Sequence, residues 1–343
     1  MRGLDGLPLA FDRADALGRG WTRHQFHLRS RRDDVLEVAP RVFADAVAWH
    51  LADEVTRHRA LTRHAQTRWT GGVVTHVSAA VVHGLPVPSR LPAAVSITID
   101  RARRTSDDPE WVDVRRSVLP DEHVTIVDGI VVTGLARTAV DCLRTLRRTD
   151  GLAVADAVVR RGVPPSELVA VRQMQHRWPG VRTARWGIGL VDGRRESWFE
   201  SASVAVLSGW LPTPLPQVEV RDRASGAFIG RVDNLWQGLR VVGEADGVGK
   251  FLGLDGADPS PDAVARRLVA AAVRADRLRE VGLGVASWGT HDLRSGQALA
   301  ARVAAAAPTG PSRAELACGV CHEELPDCRC APRLCLRRPA DDG

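Results

Sequence analysis

A multidomain chain of mixed α/β (α+β) class is what this sequence predicts, on three observations. Its 343 residues are more than one ordinary hydrophobic core takes up. Stretches with helical and with strand-like periodicity alternate along it. The pattern divides into three segments, residues 1–70, 71–190 and 191–295, followed by a tail, 296–343. An apolar fraction of 44% suits globular folding.

The first segment opens with Asp12–Leu17, a short helix stopped at Gly18 and Gly20. Thr22 is a good N-cap for a second helix, Arg23–Arg29, with Phe26 inward and Arg23, His24, Gln25, His27 and Arg29 outward. Arg31 and Arg32 follow, then a turn at Asp33-Asp34, the alternating strand Val35–Val38, and Arg41 before Val42-Phe43. Helix, glycine turn, basic helix and short hairpin is the order of a winged helix-turn-helix. In such a unit the second helix enters a major groove, and Arg31, Arg32 and Arg41 meet phosphates. The alternative is a small helical cap with a solvated basic face. Ala44–Gln66 is expected as a further helix, with Val47, Leu51, Val55 and Leu61 toward a core.

The central segment is expected to be an α+β domain. Strands are predicted at Ala94–Ile99, Val112–Arg115, Val124–Val127 and Ile130–Thr133, the last two joined by an Asp128-Gly129 hairpin turn. A helix carrying Arg137, Thr138 and Asp141 follows, and Cys142 in it reads as a small buried residue. His76 and His83 have no partner at a metal spacing and read as structural.

The third segment predicts helix Glu196–Leu207, strands Gln217–Arg221, Phe228–Asn234 and Leu239–Ala245, helix Pro261–Val281 and strand Val285–Trp288: an αβββαβ order. Trp198, Val204 and Leu207 are expected inward. Within this segment lies the chain's single lysine, Lys250, although Lys and Arg together number 47. Asp233 sits near one strand end; Glu244 and Asp246, two apart, share one side of the next. Converging carboxylates need a cation, and a hard ion such as Mg²⁺ suits oxygen ligands. Lys250 could then orient a water or steady transition-state charge. The bland alternative is exposed acids at a strand end before a glycine turn.

Residues 191–293 resemble the restriction-endonuclease-like domain related to very-short-patch-repair endonucleases, of the type common in actinobacterial proteins. The resemblance rests on Glu196-Ser197-Trp198-Phe199-Glu200-Ser201, Arg231-Val232-Asp233, Glu244 to Phe251, Arg277 to Glu280, and Trp288. It implies the PD-(D/E)xK superfamily, with Glu200, Asp233 and Glu244 as metal-binding acids. Asp246 stands where that superfamily usually has lysine, so Lys250 would supply the ammonium from beyond the strand. Residues 1–145 resemble the antitoxin of AbiE-type (type IV) toxin–antitoxin systems, through the Phe11–Phe43 region, Thr75–Ala80 with His83–Pro86, and Val127–Thr133 leading to Ala136–Asp141. That resemblance implies DNA binding, transcriptional repression and a cognate toxin.

The tail holds Cys318, Cys321, Cys328, Cys330 and Cys335. In a reducing compartment such clustering suggests Zn²⁺ held by the first four; the alternative is a disordered tail with incidental cysteines. Net charge is +6, modest enough for a mixed-charge surface and compatible with a polyanionic partner. No stretch has the roughly 20 apolar residues of a membrane span, and the start lacks a signal peptide's apolar core. A cytoplasmic location without a membrane partner is therefore expected. Two functions compete: a DNA-binding regulator of antitoxin type with partners double-stranded DNA and a toxin, and a Mg²⁺-dependent DNA endonuclease.

Overall fold

Two compact units make up the chain in the computed structural model, residues 1–145 and 146–343. The structure describes residues 6–69, 71–99, 110–245 and 260–325. Both units mix helices and sheets, so the α+β multidomain class holds. Among the described residues no helix is long and apolar enough to cross a membrane.

The first unit begins with α1 (Arg13–Gly18) and α2 (Arg23–Arg31). Each is started by a reciprocal capping box, Asp12 with Asp15 and Thr22 with Gln25, so two otherwise orphaned N–H groups are satisfied at each end. A hairpin follows, β1 (Val35–Ala39) against β2 (Val42–Asp45). Phe11, Trp21, Phe26 and Val35 bury together with Phe43 alongside, and the Phe26 and Phe43 rings meet edge-on at 4.9 Å. These aromatic contacts set the helices against the hairpin.

Residues 44–66 do not form one inward-facing helix. They divide into α3 (Ala46–Leu51) and α4 (Glu54–Arg68), because Ala52 is extended and Asp53 caps the second helix. The break rotates Val47, Leu51 and Val55 outward, to 70%, 72% and 40% exposure. The buried side of α4 is instead His58, Thr62, His64 and Ala65, with Leu61 partly buried against the same core.

The unit's main sheet has the order β5-β4-β3-β7-β6, from β3 (Val73–Val74), β4 (Val95–Ile99), β5 (Val112–Arg116), β6 (Val124–Val127) and β7 (Ile130–Thr133). Asp128 and Gly129 both have positive φ, as a two-residue hairpin turn requires. Helices α5 (His76–Val82) and α6 (Leu135–Thr145) pack beside it. Cys142 is buried within α6, its thiol pushed up by burial.

The second unit starts with α7 (Arg148–Arg160), α8 (Pro165–Met174) and α9 (Val181–Ile188), then α10 (Trp198–Leu207). Its sheet has the order β11-β10-β9-β8-β12. The strands are β8 (Leu215–Asp222), β9 (Phe228–Trp236), β10 (Val241–Ala245), β11 (Gly284–Trp288) and β12 (Ala314–Cys318), with α11 (Pro261–Glu280) and α12 (Gly296–Ala305). Helix α11 is the crossover between the parallel strands β10 and β11; the other pairings are antiparallel. One face packs Phe199 and Leu207 of α10 and Leu299 of α12 on Val241 and Ala245. The other packs Leu278 of α11 on Val218, Val232 and Val242. Gly243 lies under two indoles, where a Cβ would come within 2.5 Å of Trp288 and 2.6 Å of Trp236.

Helices α7 to α9 belong with this sheet and not with the central strands. A buried anchor holds them: Asp156 of α7 accepts bonds from Arg195 Nη1 (2.8 Å) and Ser201 Oγ (2.7 Å). Trp198 is 36% exposed and not inward, its indole N–H donating to Asp150 at 2.8 Å. Residues 296–325 continue the fold as α12 and the edge strand β12, where a disordered tail was expected.

Candidate functional site

Helix α2 carries the basic candidates of the first unit. Arg23, His24, His27, Arg31 and Arg32 are exposed. Arg41 stands at the hairpin tip, exposed and at φ 64°. Arg29 is half-buried, its guanidinium 4.1 Å above the Trp21 ring, a cation–π contact that fixes α2 to the small core. A groove of about 500 Å³ beside the hairpin is lined by Arg13, Arg41 and Arg68 together with Asp12 and Phe43. Arg13 and Arg68 were not singled out from the sequence. They come from separate helices, and only folding puts them beside Arg41.

A buried polar cluster lies in the same unit. Asp141 accepts from Arg137 Nε at 2.8 Å and Arg144 Nη1 at 3.0 Å. Burial raises its carboxyl, but His76, Arg137 and Arg144 outweigh that and hold it below the usual range. His76 is buried at φ 55°, with Nδ1 2.9 Å from Thr75 Oγ1, and burial drives its ring down to about 4. His83 Nε2 meets the Thr133 carbonyl at 2.7 Å.

In the second unit, the ladder between β9 and β10 ends at Asn234 opposite Gly243. Asp233 and Glu244 are the next positions on the two strands. Asp233 Oδ2 accepts the Ala245 N–H at 3.1 Å, tying β9 to the end of β10. Glu244 is 6% exposed, and Arg274 of α11 reaches its Oε2 at 3.0 Å. Gly230 makes room for that arm, since a Cβ there would lie 2.9 Å from Arg274 Cδ. Arg274 carried no sequence signal within an arginine-rich helix; Gly230 on the facing strand is the one hint.

Glu200 does not join this pair. It closes the cap of α10: Ser197 Oγ donates to Oε1 at 2.8 Å, and the Glu196 N–H and Gln217 Nε2 both donate to Oε2 at 3.0 Å. Asp246 and Lys250 lie outside the described residues. Both oxygens of Glu200 accept from N–H or O–H donors, and Glu244 is paired with a guanidinium. Among the described residues no group of three His, Cys, Asp or Glu is placed to hold a metal.

Cys318 is buried at the end of β12 and Cys321 half-buried just beyond it, neither in a disulfide. Cys328 and Cys330 lie outside the described residues.

No family model matches the chain. It is similar to two uncharacterized proteins of Mycobacterium tuberculosis, MT2308 and Rv2248, from different strains. Each is 33% identical over 124 residues, 36% of this chain and 45% of the relative. The chain thus spans less than half the length of these relatives. The crystal structure of the RV2827C protein from the same species aligns at 15% identity and a TM-score of 0.36, covering 53% of this chain and 72% of that one.

Proposed function

We propose that this chain is a DNA-binding transcriptional regulator of the kind that type IV antitoxins represent. Its N-terminal helices and hairpin serve as a winged helix-turn-helix, with double-stranded DNA and a cognate toxin as partners. The observation that carries this reading is the exposed basic array Arg23, His24, Arg31 and Arg32 along α2, with Arg41 at the hairpin tip. Guanidiniums on a rigid helix next to a hairpin suit phosphates on either side of a groove. In this reading the C-terminal unit is an endonuclease-like scaffold without turnover, and the Arg274 guanidinium paired with Glu244 would compete with a cation there.

The test is a gel shift of the full chain on its own promoter region at low and moderate salt. Salt-sensitive binding that weakens for all sequences in Arg31→Ala and Arg32→Ala supports the reading. Absence of binding at low salt sinks it.

A second reading, a Mg²⁺-dependent endonuclease, is favoured by one observation: Asp233 and Glu244 lie side by side on neighbouring strands, just past the last paired positions of β9 and β10. Plasmid nicking with Mg²⁺ or Mn²⁺ that disappears in Asp233→Asn would establish it in place of the scaffold reading.

A further inference from the structure

We propose that the cavity between the N-terminal strap, residues 6–10, and α4 is a binding site for a phosphorylated sugar or polyol, held at its phosphate by Arg19, Arg59 and Arg63. This inference does not depend on the DNA-binding reading. The cavity has a volume of about 570 Å³ and lies within the first unit. One wall is a single stripe of α4: Thr56, Arg59, Ala60, Arg63, His64 and Thr67. Spacings of three and four residues put all six on one helix face. The facing wall is the strap, with Asp15 of α1 and Arg19 at its C-cap.

The composition of the stripe is what keeps the walls apart. A helix face turned toward its own unit normally carries an apolar stripe that closes a dry contact. Arginine and threonine cannot be buried that way without partners. The strap is anchored elsewhere: Leu7 packs with Phe11 and Trp21, and Ala10 with Val42 and Trp69. It is therefore fixed without covering the α4 stripe. What remains is an open polar cavity in the size range of small-molecule sites, roughly 300–1,000 Å³.

Its charge suits an anion. Three guanidiniums line it against one carboxylate, Asp15. Arg59 pairs with the Asp128 carboxylate, and Arg63 Nη2 donates to the Asp128 carbonyl at 3.0 Å. Both α4 guanidiniums are thereby drawn to one turn and share a single acid there. Guanidinium donors held in fixed directions match phosphate oxygens.

The rest of the lining selects the rest of the ligand. Among the described residues no phenyl or indole ring lines the cavity, so a nucleobase has nothing to stack on. The lining offers partners for hydroxyls instead. Asp15 Oδ2 takes the Asp12 N–H at 2.9 Å, and the carboxylate keeps acceptor capacity for ligand O–H groups. The Thr67 hydroxyl donates to the His64 carbonyl at 2.7 Å, which leaves its oxygen as an acceptor. His64 is 5% exposed, with Nδ1 4.0 Å from Asp15 Oδ2 and Nε2 without a hydrogen-bond partner. A buried ring nitrogen without a partner calls for one, and His64 lines the cavity in which a ligand hydroxyl would sit.

The test is isothermal titration of the full chain with inorganic phosphate, ribose 5-phosphate, glucose 6-phosphate and glucose, with histidine-ring NMR on the same samples. At least one sugar phosphate is expected to bind about tenfold or more tightly than inorganic phosphate, and glucose is expected not to bind. Arg19→Ala and Arg63→Ala should each weaken the sugar phosphate about tenfold. Both side chains are exposed, so these variants leave the core intact. The His64 ring signal should move on saturation. Failure of every phosphorylated probe to bind overturns the proposal. So does equal affinity for inorganic phosphate and the sugar phosphates, or binding that both arginine variants retain. Loss of DNA binding in those variants without any sugar-phosphate binding in the wild type overturns it as well, and assigns these arginines to nucleic acid.

Discussion

Lowering the pH from neutrality to about 5 is expected to remove about 4 kcal/mol of stability from the N-terminal unit, through His58 and His76. Both rings are buried, 4% and 3% exposed. Burial is the main cause that brings each from 6.5 to about 4. His58 Nε2 lies 2.8 Å from Ser78 Oγ, which also accepts the Ser96 N–H. The hydroxyl proton can then go to the imidazole, an arrangement that suits the neutral ring. His76 faces Arg115, Arg137 and Arg144, with Asp141 the opposing charge.

The sign follows from these directions. The unfolded chain takes up protons near 6.5, while the folded unit refuses them until about 4. Stability is therefore complete above 6.5, falls as pH drops below it, and levels off only below about 4. At pH 5 the difference in proton binding costs about 2 kcal/mol per ring, and a domain has only about 5–15 kcal/mol in total. Histidine-ring NMR titration of the full chain, with urea unfolding at both pH values, measures it. His58→Gln should flatten the profile, as should His76→Asn, since asparagine tolerates the positive φ. A ring that titrates near 6.5, or a loss below about 1 kcal/mol in the N-terminal unit, would refute the reasoning.

Other outcomes follow from the same contacts. Asp141→Asn leaves two buried guanidiniums without their carboxylate and should cost about 3–5 kcal/mol, read by denaturant midpoint. Arg31→Ala with Arg32→Ala should lower the slope of log affinity against log salt by about two, at roughly 0.9 per phosphate contact, in titrations on promoter DNA. Arg274→Ala uncovers the buried Glu244 carboxylate and should cost about 2 kcal/mol by thermal unfolding, and it raises Mn²⁺ binding by calorimetry if the guanidinium is what keeps a cation away. Gly243→Ala forces a methyl against two indoles and should cost about 1–3 kcal/mol, with a shift in tryptophan emission.

Local chemistry was legible wherever one element decides it. The Asp12 and Thr22 caps, the Asp128-Gly129 turn and the αβββαβ order depend on neighbours a few residues apart, so the sequence states them directly. Four of the basic candidates, Arg23, His24, Arg31 and Arg32, are exposed as periodicity around a buried Phe26 requires. The break at Ala52-Asp53 was missed because the apolar positions on either side still fit one continuous helix.

The site's character was decided by tertiary structure. Asp233 and Glu244 become neighbours through the register of β9 on β10, and register depends on which face buries. That Glu200 closes its own helix cap, while Arg274 crosses Gly230 to reach Glu244, follows from packing on the sheet. The attachment of β12 to β8, which turns the first two tail cysteines into a fixed hairpin, is likewise a long-range pairing between residues about a hundred positions apart. By itself the sequence determined which residues carry charge, sulfur and helix-starting oxygens. Only the folded chain decided which of them face one another, because that depends on burial and pairing between segments that never meet in the linear pattern.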